Sequence, residues 1–138
     1  MNIDYYAQQV SCSQAIDWEI VQVEFDSVLD GELDDMQSDR KSPCLMIGEN
    51  FEFPGAPQGD WHDGTDWGGG VGIRMMELSR NKAFVDLKTD LSFSISFDLS
   101  NERYDELKEY LRILFQRSPR ALVIEEGDGT TTRSTQFG

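Results

Sequence analysis

The most constraining stretch of this chain is 91–99, where apolar and polar side chains alternate without a break. Leu91, Phe93, Ile95, Phe97 and Leu99 fall on one side, and Ser92, Ser94, Ser96 and Asp98 on the other. A repeat of two is the period of an extended strand with one face on a core and the other in water. Upstream, Val71 to Leu78 and Lys82 to Leu87 read as two more strands, joined through Ser79-Arg80-Asn81 and followed by the turn-like Lys88-Thr89-Asp90. Connections this short make neighbouring strands antiparallel, so the three form a meander.

The period changes immediately afterwards. Ser100 is placed to cap a helix in which Tyr104, Leu107, Leu111 and Leu114 recur at three and four residues, with Glu102, Asp105, Glu106, Lys108, Glu109 and Arg112 on the other faces. Leu99 and Tyr104 have the spacing of a hydrophobic staple across its first turn, and Pro119 is expected to end it. The apolar stripe needs a surface, and the face of Leu91 to Leu99 is the nearest on offer. The expected class is therefore α+β: an antiparallel sheet of about five to seven strands, with one main C-terminal amphipathic helix on one face.

The first half is less regular. Trp18 to Phe25 is strand-like, and Cys44 to Ile47 with Phe51 to Phe53 supplies one or two short strands. Asp26 to Asp39 holds six acids and no base; its scattered apolar residues suit either a short amphipathic helix or a pinned loop. Pro54 to Gly70 has neither period and reads as a loop, Ala121 to Glu126 as a last strand, and 127–138 as a polar, flexible tail. With 138 residues, the chain is of a size for one domain, taken as 1–126. Cys12 and Cys44 fit neither a disulfide framework nor a metal or redox pair, which leaves two reduced thiols. No signal-like or membrane-spanning stretch is legible, so the cytoplasm is the expected compartment.

Charge is distributed unevenly. Residues 1–73 carry 15 Asp and Glu against Arg40 and Lys41 alone, whereas 74–138 carry 11 against ten Lys and Arg. The surplus concentrates in 24–39 and 49–66, with 12 acids and no base. Direct nucleic-acid binding needs clustered Lys and Arg and is not expected. A solvated face would account for the acids, and so would a face built for a basic partner.

The only histidine lies in Asp60-Trp61-His62-Asp63-Gly64-Thr65-Asp66-Trp67-Gly68-Gly69-Gly70. The acid spacing fails as a calcium loop, because His62 and Gly64 stand where oxygen ligands belong, and a zinc site would need Cys12 and Cys44 to converge on it from elsewhere. The glycine run lacks the following helix of a phosphate loop and suits a bulge or edge of a sheet. His62 beside Asp63 and Asp66 could serve a small metal-dependent hydrolase, although adjacent residues seldom aim at one point. A Gly-rich turn and a recognition loop with tryptophan anchors are the other readings.

Taken in order, Cys44-Leu45-Met46-Ile47-Gly48, the Trp61-His62-Asp63-Gly64 segment running through Asp66-Trp67-Gly68-Gly69 into a strand pair, the Phe93-Ser94-Ile95-Ser96-Phe97 strand and an acidic helix resemble the small immunity proteins encoded beside bacterial polymorphic toxins. The resemblance covers most of 18–116; residues 1–17 and the tail have no counterpart in it, and individual binding positions do not carry over. It implies a protein that uses no catalysis or cofactor and that binds and neutralises a cognate toxin; the surplus of acid points to a nuclease with a basic cleft as that toxin. The acidic residues and tryptophans expected to meet that partner are Asp30, Glu32, Asp34, Asp35, Asp60, Trp61, His62, Asp63, Asp66 and Trp67. The alternative is an acidic regulatory domain that binds a basic protein unrelated to toxins.

Overall fold

The computed structural model describes residues 1–29, 42–125 and, for the backbone, 131–133. Its strands are β1 (Asn2–Tyr6), β2 (Gln9–Ala15), β3 (Ile20–Asp26), β4 (Cys44–Asn50), β5 (Gln58–His62), β6 (Trp67–Ser79), β7 (Lys82–Leu87), β8 (Ser92–Ser96), β9 (Leu122–Glu125) and β10 (Thr131–Arg133). Among the described residues there is a single α-helix, α1 (Asn101–Leu114), which lies between β8 and β9. The α+β class holds, but the sheet has ten strands among the described residues, more than expected. The helix is not C-terminal, since a 3-10 turn at Pro119–Ala121 and two strands follow it.

The meander forms as its alternation requires. Strand β7 pairs antiparallel with β6 and β8, setting Val85 against both Met76 and Phe93, all fully buried. The sequence did not reveal the two end strands of the path, nor β5 within it. Strand β1 adds parallel to β8, and β2 opens a second antiparallel run with β3, β4 and β5. The 54–70 stretch is no loop: Gln58–His62 and the start of β6 form a hairpin within it. Its two-residue pattern is hidden because Gly59, Gly68, Gly69 and Gly70 occupy strand positions and contribute no side chain. Phe51 to Phe53, by contrast, is a turn rather than a strand, with the Phe53 N–H donating to Asn50 O at 3.2 Å.

Strand β6 joins the two runs. Its first half pairs with β5 and its second with β7, while β9 lies parallel beside Met76–Leu78 and carries β10 on its far side. Register shifts occur in both pairings, and bulges of this kind bend and twist a strand. The strand path runs β1-β8-β7-β6-β5-β4-β3-β2. Only Ala7 and Gln8 separate its two ends in sequence, so the sheet curls to bring them near each other. There the Tyr5 hydroxyl donates to the Phe25 carbonyl at 2.6 Å, tying β1 to β3. The enclosed core is fully buried at Val21, Val23, Phe25, Leu45, Ile47, Val85, Leu87 and Phe93.

Ser100 caps the helix, its hydroxyl accepting from the Arg103 N–H at 3.2 Å, and Tyr104, Leu107, Leu111 and Leu114 are buried. The helix nevertheless lies over β3, with β2 and β9 beside it, rather than on β8. The curled sheet turns the apolar face of β8 towards β3, with Phe97 and Phe25 rings 6.0 Å apart. That face is filled by the sheet itself, and the helix covers the open side next to β2. The helix ends at Leu114, ahead of Pro119, which instead begins the 3-10 turn.

Residues 131–133, expected in the polar tail, pair with β9 as β10. The rest of the tail and the segment 30–41, with its helix-or-loop alternative, fall outside the described residues. Cys44 is buried and Cys12 half-buried, neither in a disulfide. The Cys12 thiol is pushed up to about 12 by burial first and then by Glu106. No helix among the described residues is long and apolar enough to cross a membrane.

Candidate functional site

Four strand ends stand in a row at one rim of the sheet. Asp26 ends β3 opposite Cys44, Cys44 pairs with His62 at the end of β5, and His62 pairs with Trp67 at the start of β6. Strand spacing makes this row about 15 Å wide. Between Asp26 and Cys44 the chain leaves the sheet for the acidic segment. Its base is pinned where the Ser27 hydroxyl donates to Pro43 O at 2.6 Å and the Val28 N–H donates to Asp26 Oδ1 at 3.0 Å. Between His62 and Trp67 lies the turn Asp63–Asp66. The stretch that follows Asp26 and the Asp63–Asp66 turn, separate in sequence, therefore spring from neighbouring strand ends, whereas Glu49 and Glu52 lie at the opposite end of β4.

The turn is built by its own side chains. Asp63 Oδ1 accepts from the N–H groups of Thr65 and Asp66, both at 2.8 Å, and the Asp63 N–H donates to Asp66 O at 3.1 Å. The bonds from Asp66 and Thr65 hold the Asp63 carboxyl below the usual range of an aspartate. His62 is 1% exposed; its Nδ1 accepts from the Gly64 N–H at 3.0 Å, and its ring meets Trp67 edge-on at 4.9 Å. An imidazole nitrogen that accepts has no proton of its own. Asp63 and His62 are thus both committed to the turn, and the pairing of His62 with Asp63 as a general base is not formed. Among the described residues no group of three His, Cys, Asp or Glu could hold a metal ion.

The glycine run makes room for the side chains of β5. A Cβ on Gly68 would stand 2.5 Å from the Trp61 indole, and one on Gly69 would collide with the Asp60 carboxylate. Gly70, at φ +72°, donates its N–H to Asp60 Oδ1 at 2.9 Å. Asp60 thus sits opposite a bulge formed by Gly69 and Gly70, with its carboxylate filling the space that the absent side chain of Gly69 leaves.

Of the residues expected to meet a partner, Asp60 and Asp66 are exposed, Asp63 and Trp61 are half-buried, and His62 is buried. Trp61 faces inward enough for its ring to lie 6.3 Å from Phe93. Trp67 is the aromatic that reaches solvent, at 47% exposed. His62 and Trp61 are therefore supports of this rim rather than its surface. Asp30, Glu32, Asp34 and Asp35 lie outside the described residues.

Sequence reasoning missed a second unusual place at the far end of β3, where Ile16, Trp18 and Phe53 are exposed. No residue pattern marks it, because Trp18 reads as the start of the Trp18 to Phe25 strand with Ile16 just ahead of it, whereas β3 begins only at Ile20 and Trp18 belongs to the turn. Comparison of the chain with family models, with curated proteins and with solved structures gives no match.

Proposed function

We propose that this protein is an immunity-type inhibitor, which binds a basic toxin domain through the acidic rim and blocks it without catalysis. The observation that carries this reading is the row of adjacent strand ends, which roots the segment between β3 and β4 and the Asp63–Asp66 turn on one rim and leaves Trp67 exposed beside them. Carboxylates on such a rim can occupy a cleft where phosphates would sit. Opposite charge steers encounter and can raise association rates roughly 10 to 1,000-fold. An aromatic anchor next to the charges supplies affinity once water is excluded. A stable complex of this kind buries about 1,200–2,000 Å² in total, which requires more than the hairpin turn and brings in the segment between β3 and β4.

The test uses the toxin encoded beside the gene. Co-expression should protect cells, and the purified pair should associate at a rate that falls as salt rises from about 50 to 300 mM. Exchanging Asp34, Asp35 and Asp66 for lysine should slow association at least tenfold with the fold intact, while Trp67→Ala should speed dissociation. A protein that neither binds nor protects would overturn the proposal. Capture of a different basic partner with the same salt dependence would instead favour the regulatory domain.

A further inference from the structure

Three departures from ordinary globular structure meet at the end of β3 opposite the acidic rim. The first is backbone strain. The hairpin between β2 and β3 turns through Ile16, Asp17 and Trp18, whose φ values are +53°, +52° and +71°. Successive left-handed residues without a glycine are unfavourable, and a β-branched isoleucine is an outlier there. The turn is held by the Trp18 N–H donating to Gln14 Oε1 at 2.8 Å and the Glu19 N–H donating to Ile16 O at 3.0 Å.

The second is apolar exposure. The strained turn does not tuck its large side chains inward: Ile16 is 66% exposed and Trp18 40%, with one face of the indole on Tyr110 at 5.1 Å. Phe53, 59% exposed, belongs to the next turn, which is tied to this one by the Phe51 N–H donating to Glu19 O at 2.7 Å. The third is a buried carboxylate. The Glu49 side chain is 3% exposed and neither of its oxygens has a hydrogen-bond partner; Arg117 Nη1 lies 3.6 Å away. Arg117 itself donates to the carbonyls of Phe53 and Phe51 at 2.6 and 2.7 Å and lies over the Phe51 ring. Arg117 thereby fixes the turn that presents Phe53.

Strain is retained where the surrounding structure enforces it, and it clusters at binding and switching sites. Contiguous exposed apolar side chains mark interaction surfaces. The charge around this patch selects the occupant. Asp17 and Glu52 are exposed and Glu19 is half-buried, while the positive charge of Arg117 is spent on two carbonyls and Glu49. A second copy of the chain would bring the same carboxylates face to face, and anionic lipid or nucleic acid would be repelled.

We infer that Ile16, Trp18 and Phe53 form a docking surface for a basic protein segment carrying an apolar anchor. This surface is separate from the acidic rim, which lies about 20 Å away along β3. It does not depend on the rim's partner being a toxin.

The experiment pans a phage-displayed library of random peptides against the full chain and measures the enriched peptides by isothermal titration. Enriched sequences should combine Lys or Arg with Leu, Phe or Trp. Their affinity should fall at least tenfold for the variant Ile16→Ser with Phe53→Ser, whose thermal midpoint is expected to change little because both side chains are exposed. Exchange of Asp17 and Glu52 for lysine should weaken the same peptides several-fold, whereas Asp60→Asn with Asp66→Asn should leave them unchanged. The inference is overturned by a library that enriches nothing, by peptides without basic residues, or by peptides indifferent to the Ile16 and Phe53 exchange. It is overturned equally by light scattering that shows a dimer dissolved by that exchange, which would make a second copy the occupant.

Discussion

At the scale of single residues, the glycines of β6 show how an empty position can be as specific as a side chain. Gly68 exists where the Trp61 indole lies against the backbone, and a Cβ there would stand 2.5 Å from that ring. The ring cannot simply swing away, since it is half-buried and packed near Phe93. Gly68→Ala should therefore cost about 1–3 kcal/mol, read as a lower urea midpoint. Glu49 is the opposite case, a charge where a neutral group would suit the fold better. Burial raises its carboxyl above the ordinary glutamate range, and Arg117 only partly offsets this. A raised acid favours the folded state while it is protonated, below its unfolded value, and that advantage is lost as pH rises through the folded value. Glu49→Gln should consequently raise stability at pH 7, by about 1 kcal/mol, and the gain should shrink to nothing below about pH 4, measured by thermal unfolding across that range.

At the scale of elements, the helix and the meander were legible because their periods are long and unbroken. Ser100 and the Tyr104 to Leu114 stripe behave as read. Short or glycine-interrupted strands were not, and Gln58–His62 shows why: with Gly59 at one inward position and a bulge opposite Asp60, alternation never accumulates. The hairpin between β2 and β3 was illegible for a different reason. A sequence of Ile-Asp-Trp carries none of the Gly or Asn that normally announces a left-handed turn. Because Ile16 adopts φ +53°, Ile16→Gly should relieve strain and stabilise the protein by about 1 kcal/mol. A differential scan that shows no gain or a loss would mean that the turn is not strained as its backbone indicates.

At the scale of the whole molecule, the closing curl of the sheet organises the rest. Its two end strands, β1 and β2, are consecutive in the chain, and the Tyr5 hydroxyl bonded to Phe25 O ties β1 to β3 inside the protein. Tyr5→Phe should remove about 1 kcal/mol and lower hydrogen-exchange protection in β1 and β3 together, although they lie far apart along the strand path. Closure also explains the helix's place over β3, since β8 turns its apolar face to the interior of the curl. The acidic rim has the same origin. The residues around Asp26 and Asp63 are distant in sequence, and only the pairing of β3, β4 and β5 sets their strand ends side by side.

The sequence by itself determined the α+β class, the central meander, the capped helix and the concentration of acid in two segments, because periodicity and charge are local properties that each residue carries with it. The tertiary structure alone decided that the sheet has ten strands among the described residues and curls on itself, that His62 is a buried support of a turn, and that the chain leaving β3 and the Asp63–Asp66 turn share a rim. It alone decided, too, that Ile16, Trp18 and Phe53 are exposed on two turns tied to each other through Glu19 and Phe51. These depend on which strand pairs with which, and pairing is set by the burial of faces drawn from the whole chain rather than by any pattern within one segment.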